Sequence, residues 1–118
     1  MDLNQILKMQ IRMDELHGFP VHFSDAQAKY DQLTKDLVGL FGEIGEFSNI
    51  VKKINIKLAH PGTYELDMSD AEVRLREELI DSLIYVFRIG AILDVDLQTE
   101  VLKKMKQNET RYATLQRE

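Results

Sequence analysis

The chain has 118 residues, of which 44% are hydrophobic and 30% are charged, a balance that is typical of one globular domain and excludes a disordered segment. Its formal net charge is −5, so it lacks the surplus of Lys and Arg that nucleic-acid binding needs, and we expect no DNA or RNA partner. It contains no cysteine, which excludes disulfides and thiolate metal sites and fits a cytoplasmic setting. We find no signal-peptide pattern and no bilayer-length apolar run, and we expect no membrane partner.

Apolar residues recur at spacings of three and four along most of the chain, which predicts helices and no strand. The two prolines, Pro20 and Pro61, fall in the breaks that follow the first and second helices. The predicted helices cover about residues 2–16, 24–58, 70–93 and 97–112. Short connections favour a single all-α domain over residues 1–118, arranged as a bundle of four to five helices.

Helix starts and buried faces follow from local patterns. Ser24 with Gln27, and Ser69 with Glu72, match the capping box, and Asp96 is a plausible N-cap of the fourth helix. The second half of the third helix is apolar nearly all round, which is typical of a centrally buried helix. In the fourth helix, three apolar residues are expected to face inward: Val101, Leu102 and Met105.

Two acidic pairs at i, i+3 spacing are the candidate chemistry: Glu43 with Glu46 in the second helix, and Glu78 with Asp81 in the third. Each pair projects from one helix face, and oxygen is the ligand that Mg²⁺ prefers. Glu43 borders an apolar stripe and Asp81 lies in the most apolar helix, where an ionised carboxylate needs a cation. The alternatives are two solvated helix faces, or a buried salt bridge from Arg88 to Asp81.

The surrounding residues resemble the MazG-type, all-α nucleoside triphosphate pyrophosphohydrolases, whose relatives include dimeric dUTPases and dCTP pyrophosphatases. Three stretches resemble sequence motifs of this family: Leu40–Glu46, Glu77–Tyr85 and Lys103–Tyr112. Together these motifs cover about residues 30–112 of the chain. The resemblance implies a homodimer or homotetramer that hydrolyses a (d)NTP to the monophosphate and pyrophosphate, in house-cleaning or control of nucleotide pools.

The resemblance also implies roles for particular residues. It makes the four acids ligands of Mg²⁺, with Mn²⁺ as a possible substitute, and Glu46 is our candidate for the general base. The implied substrate contacts are Lys104, Asn108 and Arg111, with Tyr112 from the same stretch. Lys53 is a further candidate by position alone, because it lies two turns past Glu46 on the same side of the second helix, and surface solvation is its competing interpretation. The spacing of residues 104, 108 and 111 puts them on one helical face, for which plain solvated charge is the competing interpretation.

Two features depart from the family. The spacer between Glu46 and Glu78 is longer than usual, which a loop around residues 59–68 can absorb. The chain also has no Trp to stack on a base. The aromatic residues that could replace it are Phe19, Phe23, Tyr30 and Phe47.

Two other functions compete with this one. A di-iron carboxylate bundle needs Glu-x-x-His on two helices, and here only His17 has an acid three residues before it, Asp14. The second alternative is a non-catalytic helical oligomerisation or interaction module, which would tolerate loss of the acids.

Overall fold

The computed structural model describes residues 1–115, so residues 116–118 of the predicted domain lie outside the described part. The described chain is all-α, as predicted, with four helices, a final 3-10 turn and no strand. The elements are α1 (Leu3–Leu16), α2 (Ala26–Ala59), α3 (Met68–Ile92), α4 (Leu97–Arg111) and the turn Ala113–Leu115. Within the described residues, no helix combines the length and hydropathy that a membrane span needs.

An aspartate caps the N-terminus of every one of these four helices. Asp2, Asp25, Asp67 and Asp96 each accept a hydrogen bond from the backbone N–H three residues later. The cap at Asp96 is therefore confirmed. The capping boxes predicted at Ser24 and Ser69 are wrong, because the neighbouring carboxylates take the cap and interact more strongly with the free N–H groups and the helix dipole.

Helices α2 and α3 pack on each other as an antiparallel hairpin, which is the main tertiary contact of the described chain. Ile50 and Ala71 are buried in it. The helices approach closely where Gly39 meets the ring of Tyr85, because a Cβ at Gly39 would overlap that ring. Helix α1 packs on the C-terminal half of α3, and α4 packs mainly on α1.

Many residues that the sequence places in the core are exposed in the structure. The exposed fractions of Val101, Leu102 and Met105 are 47%, 59% and 61%, so their predicted inward orientation is wrong here, and α4 buries no residue at all. In α3 only the end of the apolar half is buried, around Phe87 and Ile92. Periodicity identifies an apolar face but not what covers it, and no element of residues 1–115 covers these side chains.

Six of the exposed residues form one surface of the hairpin, which we call the hairpin apolar face. On each helix these residues lie roughly a third to a half of a turn from the contact between Gly39 and Tyr85, in the same rotational sense. Because the helices are antiparallel, both sets fall on one side of the hairpin. Its members are Leu37, Phe41 and Ile44 from α2, and Leu79, Leu83 and Val86 from α3.

A buried arginine joins the first three helices. Arg88 of α3 is 5% exposed, and its guanidinium contacts Asp14 of α1 at 3.1 Å and Asp36 of α2 at 3.0 Å. It also donates to the carbonyl oxygens of Phe19 and Pro20 in the turn after α1, at 3.3 and 3.2 Å. Burial alone would lower the pKa of Arg88, but its hydrogen bonds to Asp36 and Asp14 and their charges raise it above its ordinary value. The group therefore stays charged and satisfied.

The first prediction concerns this network. Replacing Arg88 with Met leaves two buried carboxylates without a cation, and we expect a loss of about 3–5 kcal/mol in the free energy of unfolding, measured by urea titration. The matched control is Arg76→Met on the exposed side of the same helix, which should change stability by no more than about 0.5 kcal/mol. Equal unfolding midpoints for the two variants would contradict a structural role for Arg88.

Candidate metal centre

Three of the four predicted acids meet between α2 and α3. Glu43 and Glu46 on α2 and Glu78 on α3 each offer one carboxylate oxygen, and these oxygens lie within 4.8 Å of one another. Mg²⁺ binds oxygen at about 2.0–2.1 Å, so two opposite ligands of one ion are about 4.2 Å apart. Small side-chain rotations would therefore let all three oxygens contact one ion, and these residues fit a divalent cation.

The electrostatics of this cluster are those of carboxylates without a counter-ion. Oε2 of Glu78 is buried and has no hydrogen-bond partner within the described residues. A hydrogen bond shared with Glu43, followed by burial, raises the pKa of Glu78. A hydrogen bond and charge repulsion from Glu78 raise the pKa of Glu46, and the charge of Arg74 only partly opposes this. A bound cation would favour the charged carboxylates and so oppose both upward shifts.

Asp81, the fourth predicted ligand, is placed differently. It is exposed rather than half-buried, and it lies outside the group of three oxygens, although its charge contributes to the raised pKa of Glu46 and Glu78. The suggested salt bridge from Arg88 to Asp81 is wrong, because Arg88 forms salt bridges with Asp14 and Asp36 instead.

A cleft of about 700 Å³ begins at these acids, and we call it the acidic cleft. Glu43 and Asp81 line it, and so do Asp14, Asp36 and Arg88. Its other walls come from the turn after α1 and from facing positions of α2 and α3: Gly18, Phe19, Gln32, Lys35, Ile84 and Tyr85. The volume is that of a typical small-molecule site.

Phe19 is the only one of the four aromatic candidates among the residues that line the acidic cleft. Phe23 and Phe47 are half-buried, and Tyr30 is exposed on α2. An aromatic residue in a turn has no helical period, so the sequence could not rank Phe19 above the others.

None of the five predicted substrate contacts lines the acidic cleft. Lys53 is half-buried further along α2. The other four, Lys104, Asn108, Arg111 and Tyr112, belong to α4 and its C-cap, and α4 packs mainly on α1. Arg111 lies over the ring of Tyr112 at 5.1 Å. Their role in phosphate binding stays a prediction.

Sequence reasoning missed the Asp14–Asp36–Arg88 network and the cleft residues Gln32, Lys35 and Tyr85. One signal was present. Asp36 interrupts the apolar stripe of α2, and Arg88 interrupts the most apolar part of α3, so two opposite charges occupied positions that pack inward. The contribution of Asp14 had no such signal, because it depends on how α1 docks.

Comparisons of the chain with protein-family models, curated proteins and solved structures give no match. The chemistry of this site is therefore argued from its own geometry.

The second prediction concerns pH and metal. The pKa of Glu46 and Glu78 is raised above the ordinary 4.5, so in metal-free protein their contribution to stability is complete below that pH and is lost as pH rises through the raised values. Glu78→Gln should remove part of this loss. In thermal-shift titrations at neutral pH, Mg²⁺ or Mn²⁺ should raise the Tm of the wild type and not that of Glu78→Gln.

The control for this experiment is Glu65→Gln, which removes an exposed carboxylate in the loop between α2 and α3. This variant should keep the wild-type response to metal. An identical metal response in Glu78→Gln would show that the carboxylate cluster does not hold the ion.

Proposed function

We propose that the protein is a cytoplasmic, Mg²⁺-dependent nucleoside triphosphate pyrophosphohydrolase of the MazG type. The observation that supports this most directly is the cluster of Glu43, Glu46 and Glu78, with its unpartnered buried oxygen, at one end of a cleft of small-molecule size. The products would be a nucleoside monophosphate and pyrophosphate, consistent with house-cleaning or control of nucleotide pools.

In this mechanism Glu43, Glu46 and Glu78 would hold the cation, and Asp81, which lines the cleft with Glu43, would be the fourth ligand. Mg²⁺, or Mn²⁺ in its place, would neutralise phosphate charge and lower the pKa of an attacking water. Glu46 is the most exposed of the three clustered acids and serves as general base, accepting the proton of that water at a carboxylate oxygen. As the water oxygen bonds to the α-phosphorus, the bond to the bridging oxygen breaks and pyrophosphate leaves.

We also infer that the working form is a homodimer or homotetramer. The radius of gyration is 18.7 Å, whereas a compact domain of this length would have about 13–14 Å. The hairpin apolar face is the surface that a second copy would cover, and two hairpins packed face to face make a four-helix bundle. A further copy could also supply Lys104, Asn108 and Arg111 to the carboxylates, since their own protomer does not.

The competing function is a helical oligomerisation module without catalysis. The exposed hairpin apolar face favours it as much as it favours an oligomeric enzyme. The two functions differ in the role of the three clustered glutamates, which a non-catalytic module does not need. Such a module also predicts no turnover and no effect of metal on stability.

The third prediction tests catalysis. A panel of common and modified (d)NTPs with Mg²⁺ should release pyrophosphate and not single phosphates. Glu46→Gln should lower kcat by about 10²–10⁴-fold, the usual contribution of a general base, while Glu65→Gln keeps wild-type activity. Release of single phosphates would point to a phosphatase instead, and absence of any turnover would leave the oligomerisation module as the better interpretation.

The fourth prediction tests assembly. Phe41 is 67% exposed in the protomer, and a charge at this position would have to be buried if the hairpin apolar face is an interface. Phe41→Glu should therefore yield monomers in size-exclusion chromatography with light scattering, where the wild type gives dimers or tetramers. Met9→Glu alters a similarly exposed residue on α1 and should not yield monomers. A monomeric wild-type protein would refute the proposed assembly.

A further inference from the structure

Phe19 is an exposed aromatic side chain that the fold holds in place. Its side chain is 56% exposed and lines the acidic cleft. Its backbone N–H donates to the carbonyl oxygen of Asp14 at 2.8 Å, and its own carbonyl accepts from Arg88. The guanidinium of Arg88 also lies 6.0 Å from the centre of the ring, a cation–π distance. The ring is thus supported on the side of Arg88, and its exposed surface is available to a planar ligand.

Gln32 has its orientation set by the same arginine. Its Nε2 donates to Oδ1 of Asp36 at 3.3 Å, and Oδ2 of Asp36 is held by Arg88. Because a carboxylate only accepts hydrogen bonds, the amide nitrogen of Gln32 must face Asp36. Its carbonyl Oε1 is then the group that Gln32 can offer to a ligand in the cleft, and it accepts a hydrogen bond from an N–H donor.

The acidic cleft therefore has two chemically different ends. Glu43 and Asp81 stand at one end, beside the cation cluster. Gln32 lies eleven residues before Glu43 on α2, and Phe19 lies by Arg88, seven residues after Asp81 on α3, so both line the part of the cavity where Asp14 and Asp36 are paired with Arg88. A nucleotide has the matching layout, since its phosphates need the cation and its base has a flat face and N–H groups on its edge. Aromatic side chains bind bases by stacking whatever the base, because every base has a π-face.

We propose that the acidic cleft binds the nucleoside part of the substrate against Phe19 and Gln32, and that Arg88 is the positioning residue that fixes both. This inference rests on the proposed function only for the ligand class. Arg88 does not touch the ligand in this arrangement. It acts through the carbonyl groups of Phe19 and Pro20 and through Asp36.

The first test removes the ring and leaves the network intact. Binding of the common ribo- and deoxynucleoside 5′-monophosphates with Mg²⁺ would be measured by calorimetry on the full chain. For the tightest of these, Phe19→Ala should raise Kd by about tenfold, within the range for loss of base stacking. Tyr30→Ala is the matched control, since Tyr30 is 55% exposed but does not line the cleft, and it should leave Kd unchanged.

The second test separates positioning from stability. In the triple variant Asp14→Leu/Asp36→Leu/Arg88→Met, an apolar cluster of similar volume replaces the charges, a change that often preserves stability in other proteins. A merely structural role for Arg88 predicts wild-type KM in this variant. A positioning role predicts that KM rises by about tenfold while kcat changes little, because only ground-state binding is lost. Should the triple variant fail to fold, Phe19→Ala and Tyr30→Ala still decide the role of the cleft.

The outcomes distinguish this proposal from the proposed function. If the wild type hydrolyses no triphosphate but binds a monophosphate through Phe19, the catalytic function fails and the nucleoside site stands. If the wild type is active but Phe19→Ala leaves both Kd and KM unchanged, the nucleoside site is refuted and the catalytic function stands. Failure of every monophosphate to bind would also overturn the site.

Discussion

The burial of Arg88 between two aspartates is the interaction on which the arrangement of the first three helices depends. Asp14, Asp36 and Arg88 come from three different helices, and the backbone of the turn after α1 supplies two more acceptors. A buried guanidinium is tolerated only when its donors and charge are satisfied together. Meeting that condition brings α1 onto the α2–α3 hairpin and makes the turn one wall of the acidic cleft.

The carboxylate cluster differs from the Arg88 network because its charges have like charges as their nearest neighbours. Arg88 has its counter-ions built in, whereas Glu43, Glu46 and Glu78 face one another and raise the pKa of Glu46 and Glu78. Burial of an unpartnered oxygen of Glu78 adds to this cost. Two groups of charged residues thus lie on the same side of the hairpin, one with salt bridges inside the chain and one without them. That contrast is why we look for an external cation at the second and not at the first.

The chain also leaves many large apolar side chains exposed. Phe41, Leu79 and Met105 are each more than half exposed, and α4 buries none of its residues. Burial of apolar area is the main favourable contribution to folding, so the proposed oligomer would gain stability by covering these side chains. The hairpin apolar face lies apart from the acidic cleft, so assembly through it would leave the cleft open to a ligand.

Local patterns in the sequence determined the all-α class, the four helices to within a few residues and the pairing of acids on single helix faces. These features depend on spacing along one helix, which the order of residues specifies directly. Only the tertiary structure decided that Glu78 reaches the pair on α2 while Asp81 stays at the rim. It also decided that Arg88 pairs with Asp14 and Asp36, and that the basic residues of α4 do not line the acidic cleft. Such contacts depend on how helices cross and which faces meet, and periodicity within a single helix contains no information about its neighbours.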